Sequence, residues 1–121
     1  MMTKEELFPE MITKSKQLNL DIVGAVAWIL KTQDNRQIVI MQFNQDFSSV
    51  EPHVNECSQW GIVLDGETTL YTDHEELLEK GDTFFIPSGV PHRVKIKAGY
   101  KDITIFDGPR YDESPKIIEG R

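Results

Sequence analysis

His53, Asn55, Gln59 and His92 are the residues of this chain whose types and spacing could do chemistry. The first three lie in His53-Val-Asn55-Glu-Cys-Ser-Gln59, a segment that runs on to Gly66. The fourth closes a segment from Gly81 through Pro87-Ser-Gly89 to His92. Side chains alternate along a strand, so positions 53, 55 and 59 share one face if no bulge intervenes. That face carries an imidazole and two amides, which are would-be metal ligands or hydrogen-bonding groups for a small molecule. After His92, Val94 and Ile96 keep its parity, so the second imidazole can face inward over an apolar floor. Gly66 and Gly89 suit turns that need a positive φ, and Pro87 and Pro91 stiffen the approach to His92.

Other polar and aromatic residues have simpler readings. Glu56 has the opposite parity and should face outward, unless a bulge swings it in. Cys57, the only cysteine, rules out an internal disulfide, fits a reducing compartment, and reads as a small half-buried residue. His74, flanked by Asp73, Glu75 and Glu76, reads as a solvated turn residue. Trp28, Trp60, Phe84 and Phe85 read as core or dimer contacts. Tyr71, Asp102 and Thr104 sit on strands whose register the sequence leaves open, and no general base is apparent inside the site.

The elements that must position these residues are mostly strands. Thr3 to Glu6 fits a capping box, interrupted by Pro9, so residues 1–20 are expected to form a short helical arm. Residues 22–32 and 36–44 are rich in β-branched and aromatic side chains around a turn-like 33–35, which predicts a first hairpin. Beyond it, short strands recur between turns at Asp65-Gly66, Asp73-His74, Lys80-Gly81, 87–91 and Ala98-Gly99. That rhythm argues for an all-β sandwich or barrel over residues 21–107, with 108–121 as a tail lying over it. Strand 60–64 is apolar on both faces, with Gly61 and Val63 on one side and Trp60, Ile62 and Leu64 on the other. Its outer face therefore needs a second sheet or a partner subunit, and a homodimer is expected.

Composition narrows the partners. A chain of 121 residues supports one core, and 13 basic against 20 acidic residues, net −7, leaves no Lys/Arg face for a phosphate backbone. Nucleic acid and anionic membranes are not expected partners. The longest apolar stretch, residues 22–30, falls well short of the roughly 20 residues of a membrane-spanning helix, and a cytoplasmic protein is expected.

The two motif segments resemble the paired motifs of the cupin superfamily. Its first motif runs His-x-His, three or four residues, Glu, six residues, Gly; here the positions read His53-x-Asn55, three residues, Gln59, six residues, Gly66. The second runs Gly, five residues, Pro-x-Gly-x-x-His, matched by Gly81, Pro87-x-Gly89 and His92. The phrase from Gln59 to Glu67 is similar to small single-domain bacterial cupins that carry Gln in place of Glu. The resemblance implies a double-stranded β-helix, a jelly-roll barrel, often dimeric, with a metal or small-molecule site inside. It also implies a ligand set of His53, Asn55, Gln59 and His92, where the usual pattern holds three His and one Glu. That set has no negative charge, so a divalent Zn, Ni, Fe, Mn or Cu ion would keep its full charge and bind weakly. Two functions are consistent with it. One is a single-domain cupin that binds a divalent metal, a small molecule or both inside the barrel. The other is a metal-dependent dioxygenase, isomerase or lyase acting on a small organic acid or sugar-like substrate.

Overall fold

The computed structural model describes residues 10–111. After the single helical turn α1 (Glu10–Thr13) come β1 (Lys16–Leu18), β2 (Ala25–Lys31), β3 (Gln37–Phe43), β4 (Phe47–Ser48) and β5 (Gln59–Asp65). They are followed by β6 (Glu67–Tyr71), β7 (Glu75–Glu79), β8 (Thr83–Ile86), β9 (Arg93–Ile96) and β10 (Lys101–Phe106). The strands form a six-stranded sheet, β1-β2-β3-β10-β5-β8, and a four-stranded sheet, β4-β9-β6-β7. Pairing is antiparallel throughout. The two sheets face each other and fit a jelly roll, but as two ladders and not as one closed barrel. Among the described residues, no helix is long and apolar enough to cross a membrane.

The first hairpin forms where β-branched residues flank a polar turn. β2 pairs with β3 in the register Ala25↔Phe43 to Lys31↔Gln37. Asn35 takes φ 67° in the connection, a left-handed conformation that Asn tolerates better than most residues. Gly66 turns β5 into β6 with φ 75°, and a Cβ there would lie 2.8 Å from the Tyr100 Cα. The turn needs glycine for its φ and for the close approach of the chain entering β10.

The helical arm expected over 1–20 is corrected by the structure. Its capping box lies outside the described residues, and within them the segment makes one helical turn and then β1, paired with β2 as Leu18↔Ala27. A four-residue helix is far below the length at which helix formation becomes cooperative, so strand pairing and burial of Leu18, 1% exposed, decide the conformation.

Apolar side chains cover both faces of the large sheet. Between the sheets lies a cluster of Phe43, Val63, Leu70, Leu78, Ile86, Ile96 and Tyr100. On the other face, Trp28 and Ile40 are covered by Ile12, Leu64 and Ile103, so the segment around α1 supplies part of the cover that strand 60–64 called for. Farther along this face Trp60, Ile62 and Phe85 stay exposed, and the Trp60 and Phe85 rings stack with centroids 5.3 Å apart. β5 thus alternates as its sequence indicates, with Gln59 and Val63 inward and Trp60 and Ile62 outward.

Gly61 lies opposite Phe84 across the β5–β8 pair, and a Cβ built on it would sit 2.0 Å from the Phe84 ring. The missing side chain is the space the ring occupies. Gly61→Ala should therefore cost about 1–3 kcal/mol of stability in denaturant unfolding by forcing that ring aside. An unchanged unfolding midpoint would show that the ring moves freely.

Candidate functional site

The two motif segments meet through their backbones. His53 and His92 form an isolated antiparallel bridge, His53 N–H donating to His92 O at 2.6 Å and His92 N–H to His53 O at 2.9 Å. The zipper continues beyond it. Gly89 N–H donates to Asn55 O at 2.9 Å, Ser88 N–H to Ser58 Oγ at 3.1 Å, and Ser88 Oγ–H to Glu56 O at 2.7 Å. Gly89 holds φ 80°, which lets the turn present its N–H to the first motif. Directly opposed residues of such a pair project to the same face, and the two imidazole centroids lie 6.1 Å apart.

A cavity of about 330 Å³ opens between the sheets at this point, and His53, Asn55, Gln59 and His92 all line it. Its walls are mainly apolar, with Leu70 and Val94 on the small sheet and Met41, Phe84 and Ile86 on the large one. His53 is exposed at the mouth, whereas His92 is 7% exposed. The Nδ1 of His92 lies 3.1 Å from the Val90 carbonyl, which can only accept, so Nδ1 carries the proton and Nε2 keeps its lone pair. Burial holds His92 below the usual imidazole range, against the opposing pull of the Val90 carbonyl, with His53 and Arg110 adding to the downward shift. It is a neutral acceptor at neutral pH.

The amides are engaged with each other. Asn55 Nδ2 donates to Gln59 Oε1 at 2.8 Å, and Gln59 is buried. That bond leaves the Asn55 Oδ1 uncommitted, so the donors available here are two imidazoles and a neutral amide oxygen, with no carboxylate among them. No group of three or more His, Cys, Asp or Glu among the described residues is placed to hold a metal ion. In this arrangement the donor set does not fit a tightly held divalent ion. Glu56 is exposed, in line with its parity, so it supplies no carboxylate. His74 is an exposed turn residue 2.6 Å from Asp73, and Cys57 is half-buried at the edge of the Leu18 and Phe106 cluster.

The carboxylate inside the cavity comes from β10. Asp102, Thr104 and Phe106 share one face of that strand, are 5%, 2% and 4% exposed, and line the cavity. Tyr100 donates its hydroxyl to Asp102 Oδ2 at 2.5 Å, while Oδ1 has no hydrogen-bond partner among the described residues. Burial pushes Asp102 up to about 7, with the Tyr100 and Thr104 hydroxyls opposing. Burial and then the Asp102 charge push the Tyr100 hydroxyl above its usual range. The sequence showed no general base, but Asp102 has the position and proton affinity of one. The signal was the shared parity of Asp102, Thr104 and Phe106, which a rule of apolar side inward would have reversed in favour of Ile103 and Ile105.

Arg110 and Tyr111 also line the cavity. Beyond β10 the chain turns back, with Asp107 N–H bonded to Ser58 O at 2.9 Å. The Gln37 side chain then grips Tyr111 by both main-chain groups, Nε2 to O at 2.6 Å and N–H to Oε1 at 2.8 Å. Tyr111 meets Phe106 edge-on at 5.7 Å, and the Arg110 guanidinium lies 4.6 Å from the Tyr111 ring centroid.

The family model for the cupin domain matches residues 39–107, more than half of the chain. No curated protein matches it. Among solved structures, the chain is similar to an RmlC-like cupin from Shewanella frigidimarina at 23% identity, covering 78% of this chain and 84% of that one, with a TM-score of 0.65. It is similar to KdgF from a Halomonas species at 21% identity, covering 84% and 92%, TM-score 0.69. An oxalate decarboxylase variant from Bacillus subtilis matches at 18% identity over 84% of this chain but 29% of that one, TM-score 0.68. At these identities the likeness is one of fold.

A carboxyl whose proton affinity is raised on folding makes the native state bind more protons than the unfolded chain, so it weakens stability as pH rises from about 4 towards 7. His92, lowered on folding, works the other way, adding stability as pH rises through the imidazole range. The difference between wild type and Asp102→Asn isolates the carboxyl. Asp102→Asn should gain stability relative to wild type as pH rises through that window, as followed by urea unfolding. Parallel pH profiles would show that Asp102 is already ionised at pH 4.

Proposed function

The chain belongs to the cupin family, and from that premise we propose that it binds a small molecule in the cavity between its sheets. One observation supports this above the others: a mostly apolar cavity on which His92, Asp102, Thr104 and Gln59 converge. At about 330 Å³ it lies at the lower end of the usual size for ligand sites, roughly 300–1,000 Å³. Apolar walls supply binding energy, and the few polar groups choose the orientation.

A catalytic role is the second reading, and Asp102 is the observation that favours it. A carboxyl titrating near neutrality beside a bound molecule can both take and return a proton, as an isomerase or lyase acting on a small organic acid or sugar-like substrate requires. The reading as a metal-dependent enzyme, dioxygenase included, rests on the His53 and His92 pair and the neutral Asn55 oxygen beside it. A Zn, Ni, Fe, Mn or Cu ion there would be weakly held, because no anionic residue joins the two imidazoles. A second copy of the chain is proposed to cover Trp60, Ile62 and Phe85, an apolar strip beside the edge strand β8 that would meet its own image across a two-fold axis.

Small organic acids and sugars screened by thermal shift should include compounds that stabilise the wild type and leave Val94→Trp, whose indole fills the cavity, unmoved. Equal effects on both proteins would place binding elsewhere. Retention of about one ion per chain after dialysis against any of the five metals would overturn the weak-metal reading and move the function to the metal-dependent class. Light scattering should give twice the chain mass of 13.9 kDa, falling to one chain in Trp60→Lys; a wild type of single-chain mass at high concentration rejects the dimer.

A further inference from the structure

Two buried side-chain polar atoms lack a hydrogen-bond partner among the described residues, Asp102 Oδ1 and Arg110 Nε. Both residues line the same cavity. They are opposite in kind: a carboxylate oxygen accepts, and a guanidinium nitrogen only donates. A buried polar atom left without a partner costs stability, and folded proteins leave few of them. An unmatched acceptor and an unmatched donor on one cavity describe the molecule that would satisfy both.

We propose that the cavity takes a small carboxylic acid bearing a hydroxyl or ammonium group, its carboxylate received by Arg110 and its donor group by Asp102 Oδ1. The proposal rests on the small-molecule reading above and adds the chemical class. Arg110 suits the anionic end. Gln37 holds the adjoining main chain in place, and stacking on Tyr111 orients the guanidinium plane. Asp102 suits the donor end. Its Oδ2 is committed to Tyr100, and the nearby Thr104 hydroxyl makes no hydrogen bond to Oδ1, so Oδ1 is the oxygen left to accept. The Thr104 hydroxyl and the neutral His92 imidazole, also on the wall, bring no charge that would repel either end.

The test uses the full-length wild type and isothermal titration calorimetry at about pH 8.5, above the range in which Asp102 takes up its proton. The probes are the α-, β- and γ-hydroxybutyrates, the matching aminobutyrates, butyrate, and the amides of the hydroxy acids. At least one hydroxy or amino acid should bind about tenfold or more tightly than butyrate, because butyrate leaves Asp102 Oδ1 unmatched. The same acid should lose a similar factor as its amide, which leaves Arg110 without an anion. Which series is preferred distinguishes hydroxyl from ammonium. Asp102→Leu, which removes the acceptor altogether, should abolish the advantage over butyrate, and Arg110→Gln should weaken all the acids alike; circular dichroism checks that both fold. The wild-type comparison stands even if neither variant does. Butyrate binding as tightly as every substituted acid, or amides as tightly as acids, overturns the proposal while leaving the cavity reading intact. Unchanged binding to Val94→Trp overturns both.

Discussion

The site depends on one backbone contact, the reciprocal pair of hydrogen bonds between His53 and His92. Neither residue belongs to a regular strand; the β4–β9 and β5–β8 ladders bring the ends of residues 49–58 alongside 87–92. The bridge closes the gap between those ladders and puts both imidazoles on the same side. The bonds from Gly89 and Ser88 extend it, which explains why the second motif carries a glycine at 89, where the chain must hold a positive φ with its N–H aimed at Asn55 O. Within that frame the polar residues take graded positions. His53 stands at the mouth, His92 is buried below it, and Asn55 donates to the Gln59 oxygen at the side.

Charge inside the cavity is arranged unlike the motif pattern. The pattern places its carboxylate among the imidazoles, whereas this chain has an amide there and a carboxylate on β10. The exchange separates two roles. Burial keeps the His92 imidazole neutral, and the acid is held against Tyr100 in apolar surroundings that raise its proton affinity. Likeness of fold to enzymes such as the oxalate decarboxylase does not transfer a reaction, because fold and site vary separately.

Much of this was legible from residue types and spacing. The turns at Gly66 and Gly89, the first hairpin and the inward parity of Gln59 on β5 follow from local rules of φ and alternation, which tertiary contacts did not override. The four motif residues do line one cavity. What spacing could not supply was anything set by packing between distant segments. β10 alternates polar and apolar residues, but its outer face is itself covered, around Ile103, by Ile12 and Trp28. Alternation therefore carried no sign, and Asp102 stayed undecided. Arg110 was hidden for another reason: residues 108–111 contain no strand pattern, and the contacts that bring them over the cavity, from Gln37, Ser58 and Phe106, join segments distant in sequence or packed edge to ring. The arm before β2 was misjudged because its capping signal lies ahead of a segment that pairs as β1.

That grip has a bearing on how a molecule would enter. A strand laid over the cavity would be held by many backbone pairs and would have to be unzipped to expose what lies beneath. Tyr111 is instead held at both its main-chain groups by one glutamine amide. Gln37 belongs to β3 and is 1% exposed, so its amide turns away only when its packed surroundings open locally. The stretch after β10 is thus fixed to the large sheet by a buried amide, and its displacement from the cavity is coupled to the stability of that sheet.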